Sequence, residues 1–136
     1  MRKSIFSVIA LFLFIAYLTV GYGGILPVKA KRTLYIGSQS SSCRFVDFDE
    51  NATPVYNKKT LKGECVYLTE TQKNTLIGSL NAKLLFTEKG DDYYSEYYFC
   101  EQLSDYIIVK GKKVNLQVAY GKEFYTVGTP MIFSSF

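Results

Sequence analysis

Four carboxylates occur close together in this chain, and a pair of carboxylates is what most glycoside hydrolases use for catalysis. In such enzymes one carboxylic acid protonates the leaving oxygen while its ionised partner acts as base or nucleophile. A turn explains Asp91 and Asp92 more simply, and an outward strand position explains Glu96. Glu101 alone then offers no pair. A carbohydrate-active enzyme that uses acidic residues is therefore the least favoured function.

Histidine is absent from the chain, which removes several further kinds of chemistry. Serine triads that depend on histidine and metal sites with histidine ligands are excluded. The sequence also lacks a glycine-rich loop of the kind that cradles phosphates. We predict that the protein is not an enzyme and has no catalytic residue, no cofactor and no metal site.

A short acidic stretch resembles the start of a calcium-binding loop. Asp47, Asp49 and Asn51 match the first three ligand positions of a twelve-residue calcium loop. Ala52 replaces the glycine that should follow, and Lys58 replaces the final carboxylate. The pattern therefore favours a solvated strand end and turn over a calcium site.

Three cysteines are an odd set for an exported domain. Cys43, Cys65 and Cys100 allow one disulfide in three alternative pairings with one thiol left over. Three buried thiols that behave as small apolar side chains are the other alternative. A catalytic thiol is disfavoured because no histidine is present to activate it.

Two pairs of adjacent tyrosines, Tyr93-Tyr94 and Tyr97-Tyr98, give one predicted strand aromatic residues on both faces. Of the residues in this segment, we single out Tyr94, Glu96 and Tyr98, which share one face, as candidates for binding a partner. Cross-strand aromatic packing explains the same residues without a partner. The sequence leaves both explanations open.

The first thirty residues have the pattern of an export signal or a membrane anchor. Arg2 and Lys3 precede a long uncharged run, and Val28-Lys29-Ala30 is typical of a signal-peptidase site, with cleavage after Ala30. The same run predicts a hydrophobic N-terminal helix that is long enough to be an uncleaved transmembrane anchor. Both alternatives predict that residues 31–136 lie outside the cytoplasm.

The remaining residues predict a single α+β domain that positions these side chains. Residues 113–120 alternate apolar and polar side chains, which indicates a central strand with one face on a core and one toward water. Residues 69–80 are the best helix candidate, since Thr69 or Thr71 can act as the cap and Asn81 can end the helix. We expect this helix to pack on a curved antiparallel sheet that ends in a β-meander, with residues 1–30 and 31–136 as the two parts of the chain.

Two short C-terminal segments resemble a known family. Asn115-Leu-Gln-Val-Ala119 and Gly128-Thr-Pro-Met-Ile132 are similar to the C-terminal pattern of the YwmB-type secreted proteins of spore-forming Firmicutes. Those proteins have a fold like that of the TATA-box-binding protein. The resemblance implies a secreted α+β domain, with no function attached and no DNA binding implied.

Charge and composition lead to a prediction of function. The net charge is +4, but three of the 16 basic residues lie in the first thirty positions, so the body is nearly neutral and nucleic acid is not expected as a partner. We predict a secreted or membrane-anchored binding domain of the bacterial cell envelope, whose partner is an envelope protein or a wall component. If residues 1–30 remain, the membrane is a partner too. The alternative is a small protein inhibitor that blocks a cleft with a hairpin such as residues 110–113.

Overall fold

The computed structural model describes residues 2–37 and 44–133 and confirms the α+β class. The described residues contain two helices, α1 and α2, and eleven strands, β1 to β11. The helices are α1 (Arg2–Thr19) and α2 (Glu70–Leu80). The strands are β1 (Val20–Tyr22), β2 (Arg32–Ile36), β3 (Arg44–Phe48), β4 (Val55–Asn57), β5 (Leu61–Leu68), β6 (Lys83–Lys89), β7 (Tyr94–Phe99), β8 (Ile107–Val109), β9 (Lys112–Val114), β10 (Leu116–Tyr120) and β11 (Tyr125–Thr129).

Seven strands form one large antiparallel sheet in the order β3-β2-β5-β11-β10-β7-β6. Two small pairs, β1 with β4 and β8 with β9, lie outside it. We call the side of the large sheet that packs against α2 the helix face and the other side the far face. The helix face carries the main apolar core, which includes Leu68, Leu76, Leu116, Val118 and Val127.

Helix α2 begins and ends as its sequence predicts. Thr69 and Gln72 form a reciprocal capping box, in which the Thr69 hydroxyl accepts from the Gln72 N–H and the Gln72 side chain accepts from the Thr69 N–H. Asn81 ends the helix in the left-handed conformation, with φ of 51°. Leu76 and Leu80 are the buried residues that fix α2 on the sheet.

The strand predicted over residues 113–120 is broken at Asn115. The Asn115 side chain accepts from the Cys100 N–H and donates to the Cys100 and Leu103 carbonyls, at 2.7, 2.7 and 3.1 Å. These bonds fix the turn after β7 beside the start of β10. They also explain why a polar side chain is fully buried there.

The prediction that this strand has a face toward water is wrong. Asn115, Gln117 and Ala119 are all buried. The C-terminal segment folds back across the far face, where the Ile132 N–H donates to the Gln117 side-chain oxygen at 3.0 Å and the Phe133 N–H donates to the Tyr35 hydroxyl at 3.3 Å. Alternation of apolar and polar residues shows which side chains share a face, but it cannot show what later covers that face.

Residues 23–31 form an extended strap over the core. Leu26 is 1% exposed and Ala30 is 4% exposed, and both belong to the core on the helix face. The strap is held at its start by the Gly23 N–H, which donates to the Pro54 carbonyl, and at its end by the Lys31 carbonyl, which accepts from the Tyr67 N–H. The folded unit therefore includes residues that the sequence assigned to the export or anchor segment.

An ion pair in the protein interior holds the strap against the sheet. Arg32 donates to the Glu64 carboxylate at 2.7 Å, and the same carboxylate accepts from the Leu26 N–H at 2.7 Å. Arg32 also donates to the Leu26 and Val28 carbonyls. Each oxygen of Glu64 thus has a partner, and the guanidinium joins β2 to β5 and to the strap.

Helix α1 lies at the N-terminus, as predicted, and exposes most of its side chains. In the described ranges, no helix combines the length and the apolar character needed to cross a membrane. Cleavage after Ala30, as the sequence predicts for a secreted form, would remove Leu26 and Ala30 from the core. The signal or anchor role of residues 1–30 stays a prediction.

We expect a chain that begins at Lys31 to be less stable than one that begins at Val20. Loss of the strap removes the buried Leu26 side chain from the core, which costs about 1.5–3 kcal/mol of stability. It also takes hydrogen-bond partners from Glu64 and Arg32, which costs about 1–3 kcal/mol. Urea unfolding of the two shortened chains measures the difference, since neither contains α1. Equal free energies of unfolding would show that the strap is dispensable.

Candidate functional site

A cleft opens where β5 passes into α2. One part has a volume of about 310 Å³ and is lined by Lys31, Asp47, Tyr67, Leu68, Gln72 and Phe124, among others. An adjoining part of about 420 Å³ shares Lys31, Tyr67 and Gln72 and adds Asp49, Glu50 and Asn51. We call the two parts together the Tyr67 cleft. Volumes of this size are typical of ligand sites.

The register of three neighbouring strands positions the polar side of the cleft. Thr33 on β2 lies opposite both Asp47 on β3 and Cys65 on β5. Its hydroxyl donates to the Asp47 carboxylate at 2.6 Å and lies 3.2 Å from the Tyr67 hydroxyl. The Cys65 thiol also contacts the Tyr67 hydroxyl, at 3.6 Å. The Tyr67 hydroxyl is thus fixed by two side chains, Thr33 and Cys65, and Asp47 in turn fixes Thr33.

An aromatic pair forms the apolar side of the cleft. Phe124, in the loop between β10 and β11, meets the Tyr67 ring edge to face at a centroid distance of 5.3 Å and an interplanar angle of 84°. This geometry is favourable for aromatic rings. Phe124 remains 45% exposed, so the pair presents apolar surface to a ligand.

The charges that line the cleft are mainly negative. Asp47, Asp49 and Glu50 are exposed and face one cation, Lys31. Burial raises the pKa of Tyr67, with the Asp47 charge and the Cys65 thiol contributing in the same direction. Tyr67 therefore keeps its proton at neutral pH. An acidic cleft with an aromatic wall and a neutral hydroxyl is suited to a cation that has an apolar stem.

The acidic stretch that resembles a calcium loop is part of this cleft. Asp47 belongs to β3, whereas Asp49, Glu50 and Asn51 lie in the loop that follows. Over the part of the chain that the structure describes, no group of three or more Cys, Asp or Glu side chains is arranged to hold a metal ion. The segment places negative charge beside Tyr67.

The three predicted partner-binding residues come together on the helix face of β7. Glu96 lies between Tyr94 and Tyr98, and its carboxylate accepts from the Tyr98 hydroxyl at 3.1 Å and from the Tyr120 hydroxyl at 2.5 Å. Tyr98 is only 8% exposed and belongs to the core. Tyr94 and Glu96 are half-buried, so they offer less surface than an outward strand face would. Their role in binding stays a prediction.

Three residues that were not predicted as partner-binding residues complete this group. Tyr120 lies between Tyr94 and Tyr125, with centroid distances of 4.9 and 4.8 Å. The Lys73 ammonium of α2 lies 5.3 Å from the Tyr120 ring and 5.1 Å from the Tyr125 ring. We call these six residues the tyrosine cluster: Lys73, Tyr94, Glu96, Tyr98, Tyr120 and Tyr125. Most polar and aromatic groups of the tyrosine cluster contact one another.

The remaining candidate carboxylates lie apart from the Tyr67 cleft. Asp91 and Asp92 are exposed in the turn between β6 and β7, and Glu101 is exposed in the turn after β7. Glu96 is hydrogen-bonded to two tyrosines, as described.

The cysteines lie on different faces of the sheet. Cys65 is on the far face beside Tyr67, whereas Cys100 is in the core on the helix face and its thiol donates to the Leu80 carbonyl at 3.1 Å. Both are buried. Cys43 lies outside the described residues, so a disulfide that involves it stays a prediction.

Sequence reasoning missed the Tyr67 cleft because its residues are far apart in the chain. Lys31, Tyr67 and Phe124 meet only when β2, β5 and the β10–β11 loop come together. One local feature could have indicated Tyr67, because it is the last far-face residue of β5, directly before the cap of α2. Nothing in that feature indicates Phe124.

Comparison with known proteins gives no match. No family model, no curated protein and no solved structure matches the chain significantly. The resemblance to the YwmB-type secreted proteins therefore stays a prediction, and the cleft has to be interpreted from its own geometry.

Alkaline pH is expected to destabilise the protein through its tyrosines. Burial and the Glu88 carboxylate raise the pKa of Tyr97 to about 12, and burial and Glu96 raise the pKa values of Tyr98 and Tyr120 further. A tyrosine whose folded pKa exceeds its unfolded value of about 10 gives stability that is present below pH ~10 and lost as pH rises toward the folded pKa. The free energy of unfolding should fall steadily above pH ~10.

Absorbance near 295 nm as a function of pH measures the tyrosines directly. In the native protein a group of them should ionise only as the protein unfolds. The Glu96→Gln variant should lower the ionisation pH of Tyr98 and Tyr120, because it removes a neighbouring negative charge and a charged acceptor. Ionisation of all tyrosines near pH 10 in the folded protein would contradict the prediction.

Proposed function

We propose that this protein is a non-enzymatic binding domain of the bacterial cell envelope, either secreted or anchored through residues 1–30. The Tyr67 cleft is its binding site. The single observation that supports this most is the juxtaposition of the Tyr67–Phe124 aromatic pair with the carboxylates of Asp47, Asp49 and Glu50. Export is supported by the basic and apolar start of the chain.

The ligand is an ammonium group on an aliphatic stem, such as a lysine side chain of an envelope protein or an amine of a wall component. The stem contacts Tyr67, Leu68 and Phe124, and the ammonium lies toward the carboxylates. Cations interact favourably with aromatic faces and with ionised carboxylates, and a half-enclosed cleft strengthens both contacts. The neutral Tyr67 hydroxyl, held by Thr33, adds an acceptor for the same group.

Lys31 makes the cleft selective. It is the cation that lines both parts, so it repels a second ammonium and can pair with a carboxylate of the ligand. A ligand with one ammonium at one end fits this distribution better than a polyamine does. The sequence prediction of an envelope protein or wall component as partner is compatible with that chemistry.

The resemblance to the YwmB-type family concerns the fold and not the cleft. The residues that carry it belong to β10, β11 and the C-terminal segment, where Gln117 and Ile132 bond to each other. These contacts cover the far face. The resemblance therefore supports export of the protein without adding a ligand.

A protein inhibitor is the second candidate, and one observation favours it. The predicted inhibitory turn at residues 110–113 lies at the tip of the β8–β9 hairpin, where Lys110, Lys112 and Lys113 are exposed. An exposed, rigid turn is the kind of element that enters a cleft of a partner. Substitutions at the tip would then abolish inhibition, whereas substitutions in the Tyr67 cleft would not.

Titration with pentylammonium, with pentanol as the matched neutral compound, tests the cleft. In an amide NMR spectrum, pentylammonium should shift the signals of Lys31, Leu68 and Phe124, whereas pentanol at equal concentration should shift them less. The Asp47→Asn/Glu50→Gln variant should bind pentylammonium about 3–10-fold more weakly, because each exposed carboxylate contributes about 0.2–1 kcal/mol.

The control for this experiment is the Asp91→Asn/Asp92→Asn variant, which loses the same charge in an exposed turn away from the cleft. It should bind pentylammonium as the unaltered protein does. Equal weakening in both double variants would mean that net charge, and not the cleft, attracts the amine. Shifts confined to other regions would reject the cleft as the site.

A further inference from the structure

The β8–β9 hairpin has a local geometry that keeps its tip rigid. Ile107, Ile108 and Val109 pair with Val114, Lys113 and Lys112 in turn. Lys110 and Gly111 form the two-residue turn, and both have positive φ, at 51° and 74°. Two positive-φ residues are typical of the turn whose twist matches that of the strands it joins.

The two faces of this hairpin differ sharply. One face carries Val114, which is fully buried, and Ile107 and Val109, which are half-buried. The other face carries Ile108, which is 61% exposed, directly opposite Lys113. Tyr106 extends this outer face and is 48% exposed, with the Lys113 ammonium 4.8 Å from its ring centre.

The tip of the hairpin carries an excess of positive charge. Lys110, Lys112 and Lys113 are all exposed and lie within four positions of the tip. Among the residues that the structure describes, none of the three forms a salt bridge with a carboxylate. Lys110 and Lys113 contact aromatic rings instead, of Phe86 and Tyr106. Ile108 thus lies opposite Lys113, with Lys110 in the turn and Lys112 on the other face of the same hairpin.

We propose that this hairpin docks on the surface of an anionic bilayer. Ile108 enters the boundary between headgroups and acyl chains, Tyr106 lies at the headgroup level, and the three lysines contact lipid phosphates. Aromatic rings with a polar end and basic residues are favoured in this interface. Clustered lysines gain attraction from the negative surface potential of anionic lipids.

Charge complementarity favours an anionic bilayer over other partners of the β8–β9 hairpin. The nearly neutral body lacks the extended basic face that nucleic acid requires. One exposed isoleucine and three lysines give weak, reversible membrane binding, because stable anchoring usually requires a second membrane-binding element. The inference is independent of the ligand of the Tyr67 cleft, and it does not require that residues 1–30 span the membrane.

The lack of tryptophan in this chain provides a clean test. In the full-length Ile108→Trp variant, the introduced side chain is the only tryptophan and reports on the hairpin alone. Its fluorescence should shift to the blue with vesicles of phosphatidylcholine and phosphatidylglycerol, and brominated lipids should quench it. The matched control is Tyr93→Trp, at an exposed position in the β6–β7 turn. Its emission should stay that of a solvated tryptophan even when α1 holds the protein on the vesicles.

Charge reversal then tests the role of the lysines. Lys110→Glu, Lys112→Glu and Lys113→Glu are combined in the Ile108→Trp background. The lipid concentration that gives half of the fluorescence change should then rise by about a hundredfold or more. Circular dichroism checks that these exposed substitutions leave the fold intact. Three results would overturn the proposal: an unshifted Ile108→Trp emission with anionic vesicles, an equal shift for Tyr93→Trp, or an unchanged response after charge reversal. The first of these, together with fluorescence changes on adding an acidic protein, would assign the hairpin to a protein partner.

Discussion

The ion pair between Arg32 and Glu64 is the interaction on which the rest of the structure depends. It lies where β2, β5 and the strap of residues 23–31 meet, and the Glu64 side chain is fully buried. Burial raises the pKa of Glu64, although the Leu26 N–H and the Arg32 charge both act to lower it. A buried pair of this kind need not increase stability over an apolar pair, but each partner would be costly without the other. The pair therefore specifies one position for the strap, and the strap in turn covers the core on the helix face.

The same interaction explains a local sequence requirement. A Cβ atom at Gly24 would lie 1.4 Å from the Arg32 guanidinium, so a larger residue there would displace the ion pair. The strap then runs to Lys31, whose carbonyl bonds to Tyr67 and whose side chain lines the Tyr67 cleft. The candidate site and the core are thus connected through a segment of nine residues. Any processing that removed this segment would change the core and the cleft together.

The two proposed contact regions lie on different parts of the fold and have opposite charge. The Tyr67 cleft gathers carboxylates around an aromatic pair, whereas the β8–β9 hairpin gathers lysines around Ile108 and Tyr106. The tyrosine cluster lies between α2 and the sheet and is largely satisfied by its own contacts. A domain with an acidic cleft and a basic, apolar hairpin can hold a cationic ligand while it rests on an anionic surface.

Local features of the sequence determined the class of the fold. The helix cap at Thr69 and the alternation around Val118 involve neighbours within a few positions, so the sequence alone indicates them. The hairpin at residues 110–113 was likewise visible, although its turn is formed by Lys110 and Gly111. Only the tertiary structure decided that Leu26 is core, that Gln117 is covered, and that Tyr67 meets Phe124 and Asp47. Those contacts join residues from distant parts of the chain, and their partners are fixed by strand order and register, which the periodicity of a single strand does not specify.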